Sequence, residues 1–408
     1  MTKFPARMVG LVLTCCLPIV PQAYAASEKI IYSFKGGSDG ANPYAGLIAT
    51  GGKFYSTTTN GGVGNGTVFS LTPGGAEKVV YAFKGFADGA FPDSGLLPIN
   101  GSFYGTTPIG GGSGCGGNGY GCGTVFSLTP AGAEKVVHSF KGGSDGAAPH
   151  AGLSDVSGTL YGTTLYGGTG PCNANLPGCG TVFSVTPAGA EKVVHDFKGG
   201  ADGENPNAAL LNEAGTLYGT TLNGGINGNY KNFGTAFSVT TAGAEKVVYA
   251  FVPANGEAPA SALSNGGTLY GTALYAGSGH CSNANAPSGC GTVFAVTKAG
   301  VAKVIHSFQG GSDGAIPYAG LIGVGGKLYG TTESGGGTGC GGSGCGTVFS
   351  VTPSGTETVL YSFKGGSDGN FPYARLYNDG GTLYGTTEQG GGSANCSGGC
   401  GTVFSITP

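Results

Sequence analysis

The sequence predicts an all-β fold, a seven-bladed β-propeller with four antiparallel strands per blade. Three observations predict it: one unit recurs seven times, each copy reads as four short strands, and the copies are out of phase with the chain ends. A unit of about 55 residues with four strands fits the blade of a propeller, whose blades usually number about 4–8. The tetrapeptide Gly-Thr-Val-Phe ends at Phe69, Phe126, Phe183, Phe294, Phe349 and Phe404, and its variant Gly-Thr-Ala-Phe at Phe237. Successive separations are 57, 57, 54, 57, 55 and 55 residues. A second marker, the Phe closing each Glu-Lys-Val-Val-like run, recurs at Phe34, Phe83, Phe140, Phe197, Phe251, Phe308 and Phe363.

In the third unit the strands are expected at His150–Val156, Thr159–Thr164, Thr181–Thr186 and Glu191–Phe197. All four are rich in Val, Leu, Phe, Tyr and Thr, and Gly-rich or Pro-x-Gly turns separate them. Simple alternation puts Val193 and Phe197 on one face, with Val194 and Asp196 on the other, and sets Phe183 and Val185 against Val182 and Ser184. Both faces carry packing residues, as expected of a sheet sandwiched between two others. The Gly of Tyr-Gly-Thr-Thr is expected to let sheets approach closely. The repeats begin with a fourth-type strand, 28–34, and end with a third-type strand, Gly401 to Thr407. Pairing these two completes the seventh blade and closes the ring, a gain an open solenoid would not have.

With 88 Gly and 21 Pro in 408 residues, the composition would suggest disorder if it had no period; the period argues against that. A formal charge of −3 offers no basic surface for phosphate backbones, so nucleic acid is excluded as a partner. Lys3 and Arg7 precede an apolar run, Met8 to Val20, followed by Ala23-Tyr24-Ala25. Residues 1–25 thus read as a secretory signal peptide, too short to span a membrane. Export to the periplasm or beyond is expected, rather than lipidation at Cys15 or Cys16. Residues 26–408 then form one domain, expected to be monomeric, with no membrane span.

The markers Ser-Asp-Gly-x-x-Pro-x-x-x-Leu, Leu-Tyr-Gly-Thr-Thr-x-x-Gly-Gly and Gly-Thr-Val-Phe-Ser-Val-Thr-Pro resemble the GloVer tandem repeat of bacterial exported proteins, over Ser27 to Pro408. The resemblance implies an exported repeat protein and brings no catalytic residues. Its members are described as choice-of-anchor proteins; here Pro408 closes the last repeat, which favours the periplasm or free secretion.

Ten cysteines follow the leader, as Cys115/Cys122, Cys172/Cys179, Cys281/Cys290, Cys340/Cys345 and Cys396/Cys400. Each pair lies between the second and third strands of its unit. An even count in an exported chain points to disulfides within each loop, whereas zinc would ask for four convergent ligands. Units one and four carry no cysteine there. Asp39, Asp88, Asp145, Asp202, Asp313 and Asp368 each precede Gly before the first strand, as does Asn255; these read as turn residues, since one carboxylate per loop is a thin supply for calcium. His138, His195 and His306 replace Tyr32, Tyr81, Tyr249 and Tyr361 of other units and read as packing variants. No metal, cofactor or catalytic motif is recognised.

Where the scaffold repeats, the varying positions are the candidates for function. The residue after the recurrent Pro reads Tyr44, Asp93, His150, Asn207, Ala260, Tyr318 and Tyr373. Two residues on, Gly or Ala gives way to Arg375 in unit seven alone. Once the ring closes, Tyr318, Tyr373, Tyr44, Asp93 and His150 form an arc over adjacent blades, expected on the face that carries the Asp-Gly and cysteine loops. Tyr rings suit sugars or peptide side chains, and Arg375 suits a carboxylate. The expected role is a binding module for an extracellular glycan, another polymer or a surface protein. The alternatives are a polysaccharide lyase or glycoside hydrolase on the same face, and a structural or protein-docking propeller.

Overall fold

The computed structural model describes residues 26–408 apart from 113–114, 116–120, 173–177, 229, 266 and 282–288. The predicted signal peptide lies outside the described residues. Seven sheets are arranged as blades of four strands, and no α-helix occurs among the described residues. Blade four carries the short Glu204–Pro206 as an addition and a small hairpin, Ile226–Asn227 with Tyr230–Lys231, beside it. In blade three the order from axis to rim is Ser154–Val156, Thr159–Thr164, Thr181–Val185 and Glu191–Asp196, antiparallel throughout. The seventh blade takes Tyr377–Asp379, Thr382–Thr387 and Thr402–Thr407 from the end of the chain and Ser27–Ser33 from its beginning. Ile30 pairs with Phe404 and Ser33 with Thr402, so the ring closes as the repeat phase predicts.

Two local expectations need correction. The first strand of blade three starts at Ser154, not His150, because Ala148 adopts a left-handed backbone (φ 55°) and Pro149 has no N–H to give a ladder. The faces of the fourth strand also differ from simple alternation. Phe183 pairs with Val193 but Val182 pairs with His195, so Val194 is the extra residue of a β-bulge and the faces exchange there. Phe197 therefore shares its side with Val194 and Val182, packed against Phe237 of blade four.

The core is a belt of aromatic pairs, one between each two neighbouring blades. Phe34 meets Phe69 edge to face with centroids 5.0 Å apart, and Phe83–Phe126, Phe140–Phe183, Phe197–Phe237, Phe251–Phe294, Phe308–Phe349 and Phe363–Phe404 repeat the contact at 4.8–5.1 Å. The two Phe markers of the sequence are thus partners across blade interfaces. Each such pair adds about 0.5–1.5 kcal/mol beyond the area it buries. The Gly of Tyr-Gly-Thr-Thr answers to the same rings: a Cβ on Gly162 would lie 2.6 Å from Phe183 Cζ. The close approach is by the paired third strand of the same blade, not by the neighbouring sheet.

The Asp-Gly residues hold turns. The Asp39 carboxylate accepts the Lys35 N–H at 2.7 Å and the Tyr32 hydroxyl at 2.6 Å. Asp88 and Asp368 repeat both contacts. In the histidine units His138, His195 and His306 face Asp145, Asp202 and Asp313 at 3.4, 3.3 and 3.2 Å and pack edge-on against Phe140, Phe197 and Phe308. They are packing variants of tyrosine.

Candidate functional site

Every blade delivers its variable residue to the axis by one backbone device. The residue before the recurrent Pro is left-handed in all seven copies, with φ of 57° at Asn42, 58° at Phe91, 55° at Ala148, 59° at Asn205, 54° at Ala258, 57° at Ile316 and 58° at Phe371. For a β-branched residue such as Ile316 this conformation is costly, and it persists only where the surroundings over-determine it. Here they do. The N–H groups of Asn42, Ala148, Asn205, Ile316 and Phe371 donate to the carbonyls of Cys400, Cys122, Cys179, Cys290 and Cys345 at 2.8–3.1 Å. In four of the blades the carbonyl of the same residue accepts an N–H from beyond the second strand: Asn42 from Thr59, Ala148 from Leu165, Ile316 from Glu333 and Phe371 from Glu388.

The second cysteine of one blade thus anchors the channel residue of the next. All five expected disulfides are present: Cys115–Cys122, Cys172–Cys179, Cys281–Cys290, Cys340–Cys345 and Cys396–Cys400. They stand behind His150, Asn207, Tyr318, Tyr373 and Tyr44 in that order. Asp93 and Ala260 follow the two units without cysteines; there the carbonyls of Asn65 and Phe233 take the Phe91 and Ala258 N–H groups.

Tyr44, Asp93, His150, Tyr318, Tyr373 and Arg375 all line one axial cavity of about 630 Å³. Its walls are mainly the segments that lead into the first strands, and no cysteine or Asp-Gly loop residue is among the residues that line it. The expected arc on the loop face is therefore a ring inside the channel, with the disulfides acting through their carbonyls. The Tyr44 and Tyr373 rings stack at 4.7 Å and 23°, and Tyr318 stands edge-on to both, at 5.8 and 5.4 Å. Asn207, from blade four, donates its amide N–H to the Tyr318 hydroxyl at 3.2 Å, so the cluster reaches across the axis. His150 Nδ1 and Asp93 Oδ2 share a 2.5 Å hydrogen bond. The Ala260 side chain is not among those described.

Burial pushes the phenols of Tyr44 and Tyr373 up, and neighbouring Tyr318 on one and Glu333 and Glu388 on the other add to it. Both stay protonated donors. Burial also raises Glu333 and Glu388, Glu388 further through Glu333, and it lowers the Arg375 guanidinium. These two glutamates behind Tyr373 were not among the sequence candidates. The comparison between repeats contains them: the residue after Thr-Thr or Thr-Ala reads Thr59, Pro108, Leu165, Leu222, Leu274, Glu333 and Glu388.

Away from the axis, His138–Asp145–Glu191, His195–Asp202–Glu245 and His306–Asp313–Glu357 each bring three metal-ligating atoms within 4.8 Å of one another. In sister units a Tyr hydroxyl makes the corresponding contact with Asp, which marks these clusters as structural contacts of the scaffold.

The model of the Gloeobacter/Verrucomicrobia repeat matches residues 21–169, 116–343 and 280–408, and the chain belongs to that family. No protein with a curated description is significantly similar in sequence. Among solved structures, puromycin hydrolase superposes with a TM-score of 0.51 at 12% identity, over 88% of this chain and 52% of that one. This chain spans about half its length. Sqt1 of Saccharomyces cerevisiae gives 0.49 at 11% identity, over 94% and 100%, and the PQQ-bound aldose sugar dehydrogenase of Streptomyces coelicolor 0.43 at 12%, over 94% and 98%. At such identities the likeness concerns the propeller fold alone.

Proposed function

We propose that the chain is an exported binding module for an extracellular polymer, foremost a glycan, and that the axial cavity receives it. The observation that carries this reading is the convergence of the varying residues. Six positions chosen only because they differ between repeats line one cavity, of a volume within the range of about 300–1,000 Å³ usual for small-ligand sites. Such a volume suits a chain end or a short oligosaccharide. The phenols supply flat apolar faces with polar tips. Five disulfides behind the segments that lead into the first strands suit an oxidising compartment, and no helix among the described residues is long and apolar enough to cross a membrane. The test is a glycan-binding screen on the refolded mature chain with Tyr373→Ala and Arg375→Ala; affinity retained in both removes the site.

A second reading, a polysaccharide lyase or hydrolase, draws on the Asp93–His150 pair. A carboxylate holding Nδ1 orients the imidazole, as proton abstraction requires. Incubation with acidic polysaccharides, read by the absorbance of unsaturated product and by reducing ends, separates catalysis from binding. A protein-docking propeller is the third reading, tested by pull-down from the source secretome.

A further inference from the structure

We infer that Arg375 makes the axial cavity selective for a carboxylate, so that the polymer taken up is an acidic one, presenting a uronate-like group to the guanidinium. This deepens the binding reading above and rests on the cavity being the site.

The layer of the channel that holds Arg375 is otherwise almost free of side chains. Gly46, Gly95, Gly152, Ala209 and Gly320 occupy the equivalent positions of five other blades and line the same cavity. One long cationic side chain thus stands where five other blades place only Gly or Ala. Its main chain is held tightly, since a Cβ on Gly46 would come within 2.8 Å of the Arg375 carbonyl oxygen. Arg375 Nε donates to the Leu321 carbonyl at 3.3 Å, which orients the guanidinium. Among the described residues no carboxylate pairs with it, and no protein group accepts from its two terminal nitrogens. Asp93, the one acid lining the cavity, is bonded to His150.

Arg375 is exposed to the cavity and has no counter-ion among the described residues, and five sister blades manage the same position with Gly or Ala. The fold therefore does not need Arg375. What remains free is a planar pair of N–H donors in open space, the fork that matches a carboxylate with two parallel hydrogen bonds.

The experiment is titration calorimetry of the mature chain with trigalacturonate, its neutral galactose counterpart, D-glucuronate and inorganic sulfate, on wild type, Arg375→Gly, Arg375→Lys and Tyr373→Ala. Arg375→Gly restores the residue of the sister repeats, and an unchanged thermal midpoint verifies its fold. The expected result is at least tenfold preference for the carboxylate probes over the neutral sugar, lost in Arg375→Gly and only partly recovered in Arg375→Lys. Neutral sugar bound as tightly as trigalacturonate, with Arg375→Gly unaffected, overturns the carboxylate assignment while leaving polymer binding intact. Carboxylates bound through Arg375 without any effect of Tyr373→Ala keep the assignment and remove the tyrosine-based reading. Sulfate bound as tightly as glucuronate, or no saturable binding of any carboxylate probe, overturns the inference.

Discussion

The Asn42 N–H donates to the carbonyl of Cys400 at 2.8 Å, a bond that joins the first blade to the last across the closure of the ring. It sets the left-handed turn two residues before Tyr44 and so couples a disulfide loop on one blade to a channel side chain on its neighbour.

The Cys396→Ser/Cys400→Ser variant is expected to fold, because units one and four manage without the pair. The bridge closes a separation of only 4 residues, so its loss should cost no more than about 2 kcal/mol. The affinity of the cavity should fall several-fold, because Tyr44 loses a rigid support. Calorimetric titration alongside a melting curve checks both, and an unchanged affinity would show that the carbonyl anchor holds without the bridge.

Phe34→Ala removes the closing member of the aromatic belt. Phe34 is 1% exposed and Phe69 fully buried. The expected loss is about 3–5 kcal/mol, the range for deleting a buried Phe. Chemical denaturation measures it. A loss below about 1 kcal/mol would mean that the terminal strand is dispensable to the ring.

Stability should decline as pH rises from about 5 to about 8. Glu28, Glu77, Glu191, Glu245 and Glu357 sit in blade interfaces with carboxyls raised to about 7, first by burial and next by Asp368, Asp39, Asp145, Asp202 and Asp313 respectively. A carboxyl that binds its proton more tightly when folded stabilises the fold in acid. That contribution is full below the ordinary value of 4.5 and is lost as the pH climbs through about 7. Urea midpoints across this window test it, and Glu77→Gln with Glu191→Gln should flatten the slope. Midpoints that rise with pH contradict the assignment.

Tyr318→Phe leaves the ring cluster in place but takes away the acceptor of the Asn207 amide. A stability loss of about 0.5–1.5 kcal/mol is expected, as for one intramolecular hydrogen bond. Polymer affinity should fall if the cluster must be held across the axis. The double variant with Asn207→Ala should be no worse than the worse single one; clear additivity would place the two residues in separate roles.

Much of this protein was legible in its residues because it is local and repeated. The period, the four strands of each blade, the disulfide partners and the joining of residues 28–34 to the last strand follow from spacing, alternation and phase. Local reasoning failed where a backbone exception intervenes: the bulge at Val194 exchanges the faces of the fourth strand, and in blade three the left-handed Ala148 with Pro149 shortens the first. The variable residues after the recurrent Pro and two positions on could be identified by comparing repeats, whereas Glu333 and Glu388 lie at a further varying position, after Thr-Thr. Where those residues point was decided by tertiary structure. Tyr44 and Tyr373 stack, and Tyr318 meets Asn207, only because seven blades close about one axis and neighbouring carbonyls hold each turn. Contacts between residues more than a hundred positions apart depend on that closure, and no periodicity along the chain encodes their distance.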